Sequence, residues 1–295
     1  FVVELKDQNG NNIEMNKEAS FKIRDYMPPT VNLYLLAQDN SYLDLTFDDN
    51  IYGANNASGT INVGDVEVEV ISEGQVTSCS ITSITKTDSN FLIGGETSVR
   101  VNLQYNGTPD GNEKIIIRPT EDHSVFDESG NKLLEVAFTD TINLKDALPP
   151  SITTYSFPID SFIVLMKNTP ILFSFNEKID SLEYTVKSSI LDSINYQTVR
   201  GDSSLEITLV PPFASYDSIK IDFPYIQDQV GLSTVDISYT YLTPMLGDYN
   251  FDNLLTYNDV STFVQNWESK NFNYELGPVS GEAPHFISNP DTRFD

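Results

Sequence analysis

Short segments in which apolar and polar residues alternate run through most of this chain. Val66, Val68 and Val70, for example, alternate with Glu67 and Glu69. A period of two sends successive side chains to opposite faces of a β-strand, so each segment predicts a strand with one buried face. Short strands separated by turns predict antiparallel β-sandwiches. Strands are predicted at 43–51, 66–70, 76–86, 99–103, 113–118, 134–144, 171–179, 182–187, 205–209, 218–223 and 235–241.

A tight turn of the form Asp-x-x-Gly occurs three times, and a proline follows each turn at the end of an alternating segment. Glycine supplies the positive φ that such a turn requires. Proline cannot donate to a β-ladder, so it marks the place where a module ends. The turns lie at 7–12, 127–132 and 228–231, and the prolines are Pro28-Pro29, Pro149-Pro150 and Pro244.

The segments that follow the proline pairs also match one another. Each starts with a predicted strand, TVNLYLL or SITTYSF, and continues into a second strand with an acidic turn, LDLTFDDNI or ILFSFNEKI. Because the chain opens in strand-like FVVEL and stops inside a motif, we expect it to be a segment of a longer polypeptide or the ordered part of one. The repeat predicts the tail of a preceding module at 1–29, whole modules at 30–149 and 150–243, and a C-terminal element at 244–295.

The motifs LTFDDNI and FSFNEKI, the Asp-x-x-Gly-Asn turn and the terminal Pro-Pro resemble those of bacterial Ig-like modules of the SbsA type. The resemblance extends over residues 1–243. It implies a mainly β fold of tandem Ig-like sandwiches, as found in surface-layer proteins, adhesins and secreted enzymes. It also implies an extracellular or cell-surface location in a bacterium, with a role in spacing rather than in catalysis.

The twelve residues from 248 to 259, DYNFDNLLTYND, place oxygen atoms at the spacing of an EF-hand calcium loop. Calcium takes six to eight oxygen ligands, and alternate positions of such a loop turn toward one centre. Position 6 requires a positive φ, which Asn253 tolerates better than most residues. The predicted ligands are Asp248, Asn250, Asp252, the backbone carbonyl of Leu254, Thr256 directly or through water, and Asp259.

A helix is predicted directly after this loop, over residues 257–267. Val260, Phe263, Val264 and Trp267 recur at the spacing of one helix face. A calcium loop followed by a helix, with no helix before it, resembles one half of a type I dockerin, and GDYNFDNLLTYNDVSTFVQNW carries the resemblance. It implies a calcium-dependent connector whose partner is a cohesin-like module.

Dockerins carry two such halves, and the second half would fall on SNPDTRFD at the end of the chain. With Asp291 at position 5 and Asn289 at position 3, position 1 is Ile287, whose side chain cannot bind a metal. Phe294 would occupy position 8. We therefore expect the second half to be degenerate or truncated. We also expect Trp267 to pack against it or against the neighbouring sandwich.

The charge of the chain narrows the choice of partners. Its 17 basic and 43 acidic residues give a net charge of −26. Such a surface repels nucleic acid and anionic lipid, which we exclude as partners. No apolar run approaches the ~18–20 residues of a membrane span, so no membrane insertion is expected. Dispersed carboxylates also keep sandwich edges from associating.

No sequence motif indicates catalysis. The chain has no P-loop, G-x-S-x-G, HExxH or CxxC, and its two histidines, His123 and His285, lie in no recognisable pattern. The single cysteine, Cys79, falls in VTSCSITSI, which predicts a small buried strand residue. Paired carboxylates such as Asp48-Asp49 lie at turns, where they usually cap backbone N–H groups. We predict that the chain is not an enzyme.

The acidic residues of the first whole module leave two interpretations open. Asp44, Asp48, Asp49 and Asp65 are concentrated there. They are either a further calcium site of the sandwich or a solvated acidic rim.

Three functions fit the sequence. The first is a non-catalytic structural or adhesion segment, with Ig-like spacers and a calcium-stabilised connector that docks a cohesin-like module or copies of itself. The second is a self-assembling surface-layer or fibre protein joined through exposed sandwich edges or strand exchange. The third is an ancillary region of a secreted polysaccharide-degrading enzyme whose catalytic domain lies elsewhere.

Overall fold

Antiparallel β-sheets make up most of the protein. The computed structural model describes residues 6–12, 24–71, 74–120, 125–134, 139–156, 170–291 and 293. The chain divides into two compact units, Phe1–Asp146 and Ala147–Asp295. The prediction of a mainly β protein is confirmed.

The first unit contains two antiparallel sheets. Its strands are β1 (Val31–Leu36), β2 (Tyr42–Ile51), β3 (Val66–Ile71), β4 (Ser78–Thr85), β5 (Glu96–Asn106), β6 (Lys114–Pro119) and β7 (Ile142–Asn143). The four-stranded sheet has the order β1-β2-β5-β4, and the three-stranded sheet has the order β3-β6-β7.

One hydrophobic core lies between these two sheets. Val99 and Val101 of β5 are fully buried, as are Ile115 and Ile117 of β6, so both sheets contribute their inner faces. Burial alternates along β5 with a period of two, as the sequence predicts. The unit is therefore a β-sandwich, stabilised mainly by the apolar surface that the two inner faces bury.

The second unit contains two larger sheets and one small sheet. Its strands are β8 (Ile152–Tyr155), β9 (Pro170–Phe175), β10 (Ile179–Ser188), β11 (Asn195–Arg200), β12 (Ser204–Val210), β13 (Phe213–Ala214), β14 (Ser218–Asp228), β15 (Ser233–Leu242), β16 (Val279–Ser280) and β17 (Ile287–Ser288). The strand orders are β10-β14-β15, β11-β12-β9-β8 and β13-β17-β16. A 12-residue helix, α1 (Tyr257–Glu268), and a short 3-10 turn, Phe272–Tyr274, follow β15.

Aromatic rings fill the centre of the second core. The ring of Phe173 on β9 lies 5.0 Å from that of Phe223 on β14 and 5.1 Å from that of Tyr239 on β15. The pair Phe223 and Tyr239 is close to perpendicular at 6.1 Å. Edge-to-face pairs of this kind add to the energy of burial. Since the rings come from both larger sheets, they hold the second sandwich together.

Several strands differ from the prediction, among them β13, β16 and β17, which were not predicted. Within the described residues, the segment predicted at 134–144 is a strand only at Ile142–Asn143, and residues 135–138 lie outside the description. Strand β11 was not predicted. All six of its residues are exposed, so it has no buried face to impose an alternating pattern. The opening segment FVVEL also lies outside the described residues.

The three Asp-x-x-Gly segments form the turns that the sequence predicts. Gly10, Gly130 and Gly231 have φ values of 83°, 83° and 95°, in the region that favours glycine. In the turns of Asp7 and Asp228, one carboxylate oxygen of the aspartate accepts from the backbone N–H groups two and four residues further on. In the turn of Asp127, the oxygen accepts from the N–H four residues further on. The aspartate thus holds the turn from inside.

Cys79 is expected to react slowly with iodoacetamide in the folded protein. It lies half-buried on β4 opposite Tyr105, packed against the first core. Burial raises the pKa of its thiol from 9.0 to about 11. Because the thiolate is the reactive form, we expect alkylation at pH 8 to be about 100-fold slower than for an ordinary thiol. The same protein unfolded in urea is the control, and equal rates in both states would contradict the burial of Cys79.

Candidate metal centre

The predicted calcium loop lies between β15 and α1, and the start of the helix fixes its last four residues. Thr256 is the N-cap of α1, and its hydroxyl accepts a hydrogen bond from the N–H of Asn258. Asp259 returns the interaction, since its Oδ2 accepts from the N–H and the hydroxyl of Thr256 at 2.9 and 3.0 Å. This capping box satisfies N–H groups that a helix start leaves without partners.

Three of the predicted ligands converge at this loop. One carboxylate oxygen from each of Asp248, Asp252 and Asp259 lies within 4.8 Å of the others. Asp248 and Asp259 are buried, with 3% and 2% of their surface exposed, while Asp252 is exposed. Carboxylates brought this close together repel one another unless a cation or hydrogen-bond donors balance their charge.

Backbone N–H groups aim these carboxylates. Asp248 Oδ1 accepts from the N–H of Asp252 at 3.2 Å, and its Oδ2 accepts from the N–H of Asn253 at 2.8 Å. Asp259 Oδ1 accepts from the N–H of Tyr249 at 3.0 Å. Asn253 has a φ of 63°, the conformation that position 6 of such a loop demands. The backbone therefore curls around the carboxylates rather than away from them.

The other three predicted ligands lie beside the carboxylates. Asn250 donates through Nδ2 to Asp252 Oδ2 at 2.8 Å. The hydroxyl of Thr256 bonds to Asp259, as described above. Leu254 donates its N–H to Asp252 Oδ1 at 2.8 Å. The use of its carbonyl as a ligand stays a prediction.

Tyr249 anchors the loop, a role that the sequence did not predict. Its hydroxyl donates to the carbonyl of Tyr274 at 2.8 Å, and the two rings lie 5.3 Å apart. Burial raises the pKa of Tyr249 well above its ordinary value, so the phenol stays protonated and donates. Tyr249 thus joins position 2 of the loop to the 3-10 turn after α1. An aromatic residue at position 2 carries no spacing signal of its own.

Acid is expected to destabilise the second unit partly through Asp259. Hydrogen bonds from Thr256 hold the pKa of Asp259 below its ordinary value of 3.8. A lowered folded-state pKa adds stability above the ordinary value, and this stability is lost as the pH falls through the folded pKa. In metal-free buffer below about pH 3.8, the melting temperature should fall less steeply for Asp259→Asn than for wild type.

The exposed Asp192 supplies the control for this experiment, because Asp192→Asn removes the same charge without a capping role. The melting temperature of Asp192→Asn should fall as steeply with falling pH as that of the wild type. If the melting temperature of Asp259→Asn fell equally steeply, the hydrogen bonds from Thr256 would not contribute to acid stability.

The second half-repeat has no loop at the predicted place. Ile287 and Ser288 form β17, which pairs with Phe213–Ala214 on one side and with Val279–Ser280 on the other. Ile287, the residue at predicted position 1, is therefore part of a small sheet. Asp291 lies outside that sheet and donates its N–H to Glu275 at 2.8 Å. Phe294 lies outside the described residues.

The apolar face of α1 remains largely exposed, contrary to the packing expected for Trp267. Trp267 is 51% exposed, and the only buried residue of the helix is Asp259. A helix buries its apolar face only if a partner surface is available, and the described residues of this chain do not cover this one. Together with the end of the loop, it forms an exposed apolar surface, the docking face: Leu254, Leu255, Tyr257, Val260, Val264 and Trp267.

The crowded aspartates of the first module do not form one site. Asp44 forms a two-point ion pair with Arg100, with an Nε to Oδ1 distance of 2.7 Å. Asp48 accepts from the N–H and hydroxyl of Thr30. Asp65 caps its own turn. These three carboxylates therefore have separate structural roles.

Asp49 lies instead beside Asp25 and Asp127, with oxygens within 4.8 Å of one another. Asp127 is fully buried, and Asn131 donates to both of its oxygens, at 2.8 Å from N–H and 2.6 Å from Nδ2. The buried carboxylate of this cluster is thus satisfied from within the protein.

Comparisons with known proteins give little further information. No family model matches the chain, and no curated protein matches it. Among solved structures, the crystal structure of titin domains Z1Z2 in complex with telethonin matches at 11% identity and a TM-score of 0.25. The match covers 75% of this chain and 97% of the titin chain. A score this low carries no weight for fold or function.

The described residues contain no helix with the length and apolar character needed to cross a bilayer.

Proposed function

We propose that this chain is a non-catalytic structural segment of an extracellular or cell-surface bacterial protein. Its Ig-like sandwiches act as spacers, and residues 244–295 act as a dockerin-like connector that calcium stabilises. The observation that carries the proposal is the convergence of Asp248, Asp252 and Asp259 at the start of a helix with an exposed apolar face.

The donor set of the loop fits calcium. All predicted ligands are oxygens, which hard cations prefer, and three of them are carboxylates. Calcium, when bound, would neutralise the mutual repulsion of these carboxylates. The ligands would be the predicted six: Asp248, Asn250, Asp252, the carbonyl of Leu254, Thr256 and Asp259.

Asp259 links metal binding to the helix. Its carboxylate both caps α1 and lies among the converging oxygens. A negative charge in the first turn is favourable for a helix by itself. A cation beside it holds the loop to that turn, so the orientation of α1 and of its docking face depends on the ion.

The docking face fits a protein partner. It presents two leucines, two valines, a tyrosine and a tryptophan on one loop and one helix, and exposed apolar surfaces of this kind mark interaction sites. The partner is a cohesin-like module or a second copy of the chain. With a net charge of −26, the segment stays soluble while this face is open.

Edge strand β11 favours a second candidate, a self-assembling surface-layer or fibre protein. All residues of β11 are exposed, and it pairs only with β12 within the described residues. An open edge is a template for a strand of another chain. Assembly through β11 would not require calcium at the loop, which separates this candidate from docking.

Binding to two purified probes tests the proposal. The probes are an immobilised type I cohesin module and an immobilised copy of the chain, each in calcium and in EGTA. We expect calcium-dependent binding to one of them, lost in Asp248→Asn and in Leu255→Asp. Val235→Asp changes a residue of similar exposure away from the docking face and should bind normally. Binding to neither probe in calcium would contradict the docking function.

A further inference from the structure

The three Asp-x-x-Gly turns differ in the hydrogen bonds that the carboxylate of their aspartate accepts. In the first, Asp7 Oδ1 accepts from the N–H of Asn11 at 2.8 Å and Oδ2 accepts from its Nδ2 at 3.0 Å. In the second, Asp127 receives the same two bonds from Asn131, at 2.8 and 2.6 Å. One asparagine four residues after the aspartate thus serves both carboxylate oxygens.

The third turn lacks this asparagine. Leu232 stands in its place, so only the backbone interaction remains. Asp228 Oδ1 accepts from the N–H groups of Val230 and Leu232 at 2.9 and 2.8 Å. Asp228 Oδ2 is buried and has no hydrogen-bond partner among the described residues, and the residue is only 2% exposed. A buried carboxylate oxygen without a partner is costly, and such groups bind a donor or a cation.

A second carboxylate lies close to that of Asp228. Glu177 is half-buried in the connection between β9 and β10, and its carboxylate and that of Asp228 offer oxygens within 4.8 Å of each other. Glu177 Oε1 accepts from Nδ2 of the adjacent Asn176 at 3.2 Å. Two basic residues of the same unit have other partners. Lys178 pairs with Asp202 at 3.8 Å, and Arg200 donates to the carbonyls of Ile179 and Asp180.

We propose that Glu177 and Asp228 bind a divalent cation, and that the cation is calcium. Two carboxylates without nitrogen or sulfur ligands suit a hard ion, and water completes its coordination. The cation replaces the asparagine amide of the two earlier turns as the partner of Asp228 Oδ2.

The position of the pair gives the ion a structural role. Glu177 lies where the chain crosses from the sheet that contains β9 to the sheet that contains β10. Asp228 ends β14 and opens the turn to β15. The ion therefore joins the crossing connection to this hairpin at one end of the sandwich. The site is separate from the 248–259 loop and does not depend on the proposed function.

Calorimetric titration of calcium into the full chain carrying Asp248→Asn tests this site apart from the loop. We expect this protein to bind calcium, and a further Glu177→Gln change to weaken that binding by at least about tenfold. Glu183→Gln, at an exposed position on β10, is the matched control and should leave binding unchanged.

Leu232→Asn supplies a second and independent variant. The new amide restores the donor of the earlier turns, so it should weaken calcium binding while raising the melting temperature in EGTA. The absence of calcium binding in the Asp248→Asn protein, or binding unaffected by Glu177→Gln, would overturn the proposal. Cooperative thermal unfolding of each variant in EGTA shows that it is folded. If Asp248→Asn itself changes nothing, the loop proposal fails, but the Glu177 comparison remains decisive.

Discussion

Asp248→Asn is expected to remove the stabilisation that calcium gives the second unit through the 248–259 loop. A ligand that binds only the folded state at about 100 times its dissociation constant adds about 2.7 kcal/mol. For a unit of this size, that free energy corresponds to roughly 5–10 °C in melting temperature. Asp248 is the buried carboxylate at position 1, with both oxygens turned into the loop. Asparagine keeps an oxygen there but removes the charge that attracts the ion.

Differential scanning calorimetry in calcium and in EGTA measures this effect. Wild type should melt higher in calcium, and Asp248→Asn should lose the part of that increment that binding at the loop supplies. Asp192→Asn, which removes an exposed carboxylate outside the loop, should keep it. Equal increments in Asp248→Asn and wild type would mean that calcium acts elsewhere on the chain.

Phe173→Ala is expected to destabilise the second unit by about 3–5 kcal/mol, the usual cost of truncating a fully buried phenylalanine. Phe173 is 0% exposed and its ring contacts Phe223 and Tyr239 across the core. The substitution would leave a cavity between the inner faces of the two sheets. We expect the melting temperature of this unit to fall by at least about 6 °C.

Val199→Ala is the matched control for the core variant. Val199 lies on β11 and is 65% exposed, so its truncation should change the stability by less than about 0.5 kcal/mol. If Phe173→Ala melted as high as Val199→Ala, the aromatic cluster would not be the centre of the second core.

The parts of the fold that follow from local pattern could be predicted from the sequence. Val66, Val99 and Leu205 alternate with polar neighbours because one face of each strand is buried, and each lies in a core. Strand β11 was missed because neither of its faces is buried. Strand β17 was missed because its formation depends on Phe213 and Ala214, which are distant in the sequence.

The same distinction applies to the sites. Asp248, Asp252 and Asp259 belong to one short loop, so their spacing alone predicts that they meet. Glu177 and Asp228 come from different strand connections, and only the sandwich brings them together. A signal was nevertheless present, because Leu232 replaces the asparagine of the two earlier turns. Where a repeat lacks the asparagine, the buried aspartate needs another hydrogen-bond donor or a cation.

The most direct test of the calcium-stabilised connector is a calorimetric calcium titration of the wild-type chain beside Asp248→Asn. The wild type should show a binding event in the ~10⁻⁷ to 10⁻³ M range of such loops, and that event should be missing in the variant. Identical titrations of the two proteins would contradict the assignment of the 248–259 loop as a calcium site.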